Sequence, residues 1–117
     1  MNKRKTGAFY EEAAAGYLTR CGCRIVARNF RCRAGEIDVI AIDESDEIPV
    51  LVFAEVKYRG SRTGGYPEEA VTPRKQQTIR KVALYYMAAN KIRSGTPCRF
   101  DVVAIEGGLL RHIRNAF

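Results

Sequence analysis

A chain of 117 residues is long enough for one hydrophobic core and too short for two, so a single domain is expected. With 46% hydrophobic and 28% charged residues it has the composition of an ordinary globular protein, and no apolar stretch approaches the roughly 20 residues of a membrane helix. Twenty Lys and Arg against thirteen Asp and Glu leave +7, and a field of that sign draws in polyanions, with nucleic acid the leading partner.

The basic start Asn2-Lys3-Arg4-Lys5 leads into Glu11 and Glu12 and not into the apolar centre of a signal peptide, which points to the cytoplasm. Thr6 is placed to cap a helix running to about Arg20, with Tyr10, Ala13, Ala14, Tyr17 and Cys21 as its apolar stripe and Gly22 ending it. Strands follow near residues 24–30, 37–42 and 50–58, the last two joined by the polar segment 43–47, which suits a hairpin. A glycine-rich loop, 60–67, precedes a second helix that Thr72 and Pro73 open. Ile79, Val82, Ala83, Tyr86 and Met87 form its buried face, and Gly95 with Pro97 marks its finish. A strand over 99–105 and a short one near 110–113 complete the order αβββαββ, an α/β protein with a mixed sheet flanked by helices.

Four cysteines, Cys21, Cys23, Cys32 and Cys98, lack the paired C-x-x-C spacing of a zinc ribbon and read as reduced structural thiols. His112 has no partner motif and reads as a strand or surface residue.

Two charges interrupt apolar runs. Asp38 sits among residues 37–42, and Glu55 with Lys57 follows the run 50–54. A carboxylate removed from water costs several kcal/mol or more unless it is paired, protonated or placed on a metal. With a side-chain period of two, Glu36, Asp38, Ile40 and Ile42 share one face, opposite Ile37, Val39 and Ala41. Leu51, Phe53, Glu55, Lys57 and Arg59 share a face of the next strand, and if the two strands are antiparallel neighbours Asp38 and Glu55 lie close together. Oxygen ligands of this kind hold Mg²⁺ or Mn²⁺ with several waters, and such an ion activates water against a phosphodiester. Lys57 then positions that water or stabilises charge on the phosphate. The alternative is a structural ion pair of Lys57 with Asp38 or Glu55 at the rim of the sheet.

Asp38 followed by Glu55-x-Lys57 resembles the core signature of the PD-(D/E)XK nuclease superfamily. Gly35-Glu36-Ile37-Asp38-Val39-Ile40-Ala41, Val52-Phe53-Ala54-Glu55-Val56-Lys57-Tyr58-Arg59 and Arg99-Phe100-Asp101-Val102-Val103 are similar to blocks of the bacterial YraN-like family, over nearly the whole chain. The resemblance implies a restriction-endonuclease-like fold of the Holliday-junction-resolvase kind. It implies a nuclease acting on structured DNA, with Asp38 and Glu55 as metal ligands and Lys57 as the water-positioning group. A nucleic-acid-binding module without turnover is the other reading. Ile37 stands where the superfamily has a proline, and Tyr10 where YraN-like chains often have a glycine before the helical acid. Glu11 is then the matching acid. The resemblance makes it an additional metal ligand, whereas the helix dipole alone also favours an acid near a first turn. Gln76 or Gln77 matches a polar residue that many of these nucleases carry on a helix near the site, and Gln77 is taken as the accessory. Because junctions have two scissile strands, the resemblance also implies a homodimer.

Arg74 and Lys75 fall in the first turn of the second helix, where the dipole disfavours cations unless an anion compensates, and a phosphate there is well placed. Arg59 just before the glycine-rich loop and Arg62 within it suit the nucleic-acid backbone. No aromatic run forms a platform for stacking single-stranded bases; Tyr58 and Tyr66 are the aromatic candidates near the site.

Overall fold

In the computed structural model, which describes residues 3–59 and 71–117 with side chains from Gly7 onward, the order is helix, three strands, helix, two strands. Helix α1 is Lys3–Arg20, strands β1, β2 and β3 are Cys23–Cys32, Gly35–Asp43 and Val50–Arg59, helix α2 is Pro73–Ala89, and β4 and β5 are Cys98–Glu106 and Leu109–Ile113. The glycine-rich loop, with Arg62 and Tyr66, lies outside the described residues.

The five strands lie in sequence order. Short connections make every neighbouring pair antiparallel except β3 and β4, which run parallel because α2 carries the chain back across the sheet. The α2 face of the sheet packs Ile40, Leu51, Phe53, Phe100 and Val102 against Val71, Ile79, Val82, Ala83 and Tyr86. On the α1 face, Val39, Ala41, Val52, Ala54, Val56 and Val103 meet Ala14 and Leu18. Strand β3 is central and covered by a helix on each side, so residues 51–56 are all buried and read as a continuous apolar run.

The strict period of two expected for β2 breaks at Asp38. The β1–β2 ladder pairs Arg28 with Val39 and Phe30 with Ile37, and passes over Asn29 and Asp38 between them. Asn29 has φ 51°, a left-handed conformation that asparagine tolerates better than most residues. The register is the same on both sides of that pair, and the irregularity in the ladder falls between Ile25 and Ala27; Ile37 nevertheless joins Ile40 on the α2 face and not Val39 and Ala41 on the other. The β2–β3 ladder starts one residue later, at Val39 opposite Ala54, leaving Asp38 where the two strands part.

Helix ends differ from expectation in two places. Helix α1 starts at Lys3, a turn before Thr6, since Lys3-Arg4-Lys5 contains good helix formers and no breaker. Helix α2 ends at Ala89, well before Gly95. Lys91 at φ 54° occupies the left-handed position usually given to glycine, and its N–H donates to Ala88 O while that of Ile92 donates to Met87 O. Its start is as expected: Thr72 Oγ1 accepts from Lys75 N at 3.2 Å and Pro73 opens the first turn. No helix among the described residues is long and apolar enough to cross a membrane.

Candidate functional site

Asp38 reaches across the gap where β2 and β3 separate. Its Oδ2 accepts the N–H of Val56 at 2.8 Å, filling a place where a ladder bond would otherwise lie. That bond aims Asp38 at the strand carrying Glu55, which is itself buried. Burial raises the Asp38 carboxyl most, the Glu55 charge adds to it, and Glu11 and Glu36 add more, against the opposing Val56 hydrogen bond; the result is about 7. Glu55 is also raised, by burial, although the charges of Lys75 and Lys57 oppose this. The fold thus holds two carboxyls where both cannot ionise cheaply without a cation.

Lys57 Nζ lies 3.5 Å from Glu55 Oε1, and Lys75 Nζ, arriving from the first turn of α2, lies 3.8 Å from the same oxygen. Lys75 therefore shares the site of Glu55 as well as the helix N-terminus. Arg74 beside it is exposed. Arg59 is half-buried at the end of β3, where its carbonyl accepts from Gly107 N at 3.2 Å. Gln77 is exposed on the face it shares with Lys81 and Leu84, whereas Gln76 is half-buried and donates through Nε2 to Val71 O at 3.0 Å. Glu11 is half-buried and close enough for its charge to be felt at Asp38, while Glu12 faces water and pairs with Arg28 at 2.7 Å.

Sequence reasoning gave Glu36 no role, yet its charge raises both Asp38 and Glu55, and it pairs with Arg31 at 2.9 Å. Its signal was its place two residues before Asp38. Among the described residues no group of three His, Cys, Asp or Glu side chains is gathered as an ion site, and Glu11 reaches Asp38 through its charge. Asp38 and Glu55 alone fit Mg²⁺, which is commonly held by one or two carboxylates with water and substrate oxygens in the remaining positions.

A second charged group lies at the other end of the sheet. Asp43, expected in the polar connection, is the last residue of β2 and is buried. Arg99 Nη1 donates to Asp43 Oδ2 at 2.8 Å and Arg99 Nε to Asp101 Oδ1 at 3.0 Å. Asp101 also meets His112 Nε2 at 2.7 Å and accepts from Asn115 N at 3.0 Å, and Tyr17 Oη is 3.3 Å from His112 Nδ1. Ser45 and Arg99 hold Asp43 down at about 2 in spite of its burial, and His112, Asn115 and Arg99 hold Asp101 low. These carboxylates are satisfied and ionised, the opposite of Asp38. Asp101 in the apolar run 100–105 carried the same sequence signal as Asp38, and only the partners separate the two. The four cysteines are unpaired in the fold, Cys23 buried, Cys21 and Cys32 half-buried and Cys98 exposed.

The chain is 48% identical to a UPF0102 protein of Lachnoclostridium phytofermentans over 117 residues, covering all of this chain and 96% of that one. It is 48% identical to a UPF0102 protein of Symbiobacterium thermophilum over 122 residues, covering 97% of each. With a UPF0102 protein of Photobacterium profundum it shares 45% identity over 108 residues, 92% of this chain and 83% of that protein. The model of the uncharacterised protein family UPF0102 matches residues 10–105, and the chain belongs to that family.

Proposed function

We propose that this protein is a Mg²⁺- or Mn²⁺-dependent nuclease of the PD-(D/E)XK kind that hydrolyses phosphodiester bonds in structured DNA such as junctions. The observation that carries the reading is the Asp38–Glu55 pair, two carboxyls both raised from their ordinary values at the parting of β2 and β3, with Lys57 on Glu55. If bound there, Mg²⁺ or Mn²⁺ would supply a Lewis acid for the phosphate and a water more easily deprotonated than bulk water. Asp38, oriented by the Val56 N–H, and Glu55 are the protein ligands. Glu11 contributes negative charge from α1 as an outer or added ligand. Lys57 positions the attacking water or offsets charge on the scissile phosphate, and Gln77 is the accessory polar group of the second helix. Lys75 and Arg74 at the N-terminus of α2, with Arg59 and Arg62, hold the phosphate backbone. A homodimer working in the cytoplasm is part of this reading.

A second reading, nucleic-acid binding without turnover, is favoured by one observation: Lys57 and Lys75 both approach Glu55, so the protein itself supplies cations to that carboxylate. Cleavage of a labelled panel (four-way junction, flap, duplex, single-stranded DNA and RNA) with Mg²⁺ or Mn²⁺ separates the two. Wild-type cleavage that needs metal and is lost in folded Asp38→Ala and Glu55→Ala variants is the expected result. Metal-independent binding by all three proteins with no cut substrate selects the second reading.

A further inference from the structure

Phe9 and Tyr10 are almost fifty positions from Tyr58 in the chain, so no run of aromatic residues announces them as a unit. The fold stacks Tyr10 on Tyr58, ring centroids 4.7 Å apart and planes 16° from parallel, and Phe9 meets Tyr10 edge to face at 5.3 Å. This cluster is not core. Phe9 is 63% exposed and Tyr58 40% exposed, and both stand apart from the two buried apolar clusters. Rings left in water at this level, yet ordered by one another, present a preformed flat apolar surface at little further entropic cost.

The neighbours of the cluster say what suits it. Tyr10 precedes Glu11, whose charge reaches Asp38, and Tyr58 follows Lys57, which contacts Glu55. Side chains alternate along β3, so Tyr58 lies on the α1 face and Glu55 and Lys57 on the α2 face; the aromatic surface stands at the same end of the sheet as the carboxylate pair but on its other face, in a chain of net charge +7. A ligand that is flat and apolar on its faces and anionic along its length matches both features. Unpaired nucleobases on their phosphate backbone have that chemistry, whereas bases inside a duplex keep their faces covered.

We infer that Phe9 and Tyr58, with Tyr10 between them, form a stacking platform for unpaired bases on the α1 face of the sheet end that carries the carboxylate site. This narrows the substrate of the proposed nuclease to nucleic acid with a single-stranded segment, such as a flap, gap or opened junction, and it rests on that reading for the position of the scissile phosphate. Stacking itself needs neither metal nor turnover.

The test is therefore binding in EDTA, by anisotropy of a labelled single-stranded DNA and of a blunt duplex of equal length, with 2-aminopurine fluorescence in the single strand as a stacking signal. Wild type is expected to prefer the single strand and to quench 2-aminopurine. Phe9→Ala and Tyr58→Ala are expected to lose roughly tenfold in single-strand affinity and most of the quench, with duplex binding within about twofold, while Tyr58→Phe keeps both. Circular dichroism on each variant and the Tyr58→Phe result separate stacking from misfolding. No single-strand preference in wild type, equal losses on both ligands, or a switch of mass from dimer to monomer in Phe9→Ala with unchanged affinity would each overturn the platform, the last by making the surface a contact between copies of the chain. Cleavage that fails while these binding results hold removes the nuclease reading and leaves the platform standing.

Discussion

Asp38 carries its consequence at the scale of one side chain. An unfolded aspartate ionises near 4, whereas burial and the Glu55 charge bring Asp38 to about 7 in the fold. Between those values the unfolded chain has released a proton that the native state still holds, so stability is complete below about pH 4 and declines as pH rises to about 7. Asp38→Asn removes the titration and keeps an oxygen to accept the Val56 N–H. In urea denaturation the variant is expected to match wild type at about pH 4 and to exceed it by about 1–3 kcal/mol at about pH 8. Added Mg²⁺ is expected to close that gap by stabilising only wild type. A difference that does not change with pH would mean that Asp38 titrates like a surface acid. The residues behind this behaviour were legible, because Asp38, Glu55 and Lys57 are charges set in apolar runs. Glu36 was not, because an acid at the start of a strand is commonplace and only proximity makes its charge felt.

Among elements, the contact between the β1–β2 hairpin and α2 is tight at Gly35. A Cβ there would lie 2.7 Å from Thr78 Cγ2 and 3.5 Å from Val82 Cγ2, on a backbone with φ 152°. Gly95 also has positive φ, 87°, but nothing lies within 4 Å of its Cβ position. Gly35→Ala is expected to cost about 2–4 kcal/mol, and Gly95→Ala only about 1 kcal/mol of backbone strain, in chemical denaturation. Equal costs would show that the hairpin yields and that α2 is not seated against Gly35. Element order was readable from periodicity, caps and turn residues, and the short β5 fell where it was expected. The finish of α2 was not, because a lysine in the left-handed position leaves no mark that distinguishes Lys91 from any exposed lysine. The change of face between Ile37 and Val39 was equally hidden, since it shows only in which side of the sheet each residue packs against.

For the whole molecule, the network of Asp43, Arg99, Asp101, His112 and Tyr17 ties β2, β4, β5 and α1 together at the end of the sheet away from Asp38. Arg99→Met leaves two buried carboxylates without their shared cation and is expected to lose about 3–5 kcal/mol at neutral pH. Both carboxyls are held below the unfolded value, so their stabilisation is present above about pH 4 and lost as pH falls through the folded values, about 2 for Asp43. The variant is therefore expected to lose less further stability than wild type between about pH 4 and 2, measured by denaturation at each pH. A parallel loss in both proteins would place the acid sensitivity elsewhere.

The amino-acid sequence by itself determined the order of helices and strands, the mixed sheet, and the three charges Asp38, Glu55 and Lys57. Those are local patterns: an apolar period, a cap, or a charge where burial penalises one, each readable within a few residues. The tertiary structure alone decided that Lys75 joins Glu55, that Phe9 and Tyr10 meet Tyr58, and that Asp101 is paired while Asp38 is left raised. Each of those outcomes depends on strand register and on how a helix is rotated over the sheet, and the energy of a charge is set by partners that lie far away in the chain.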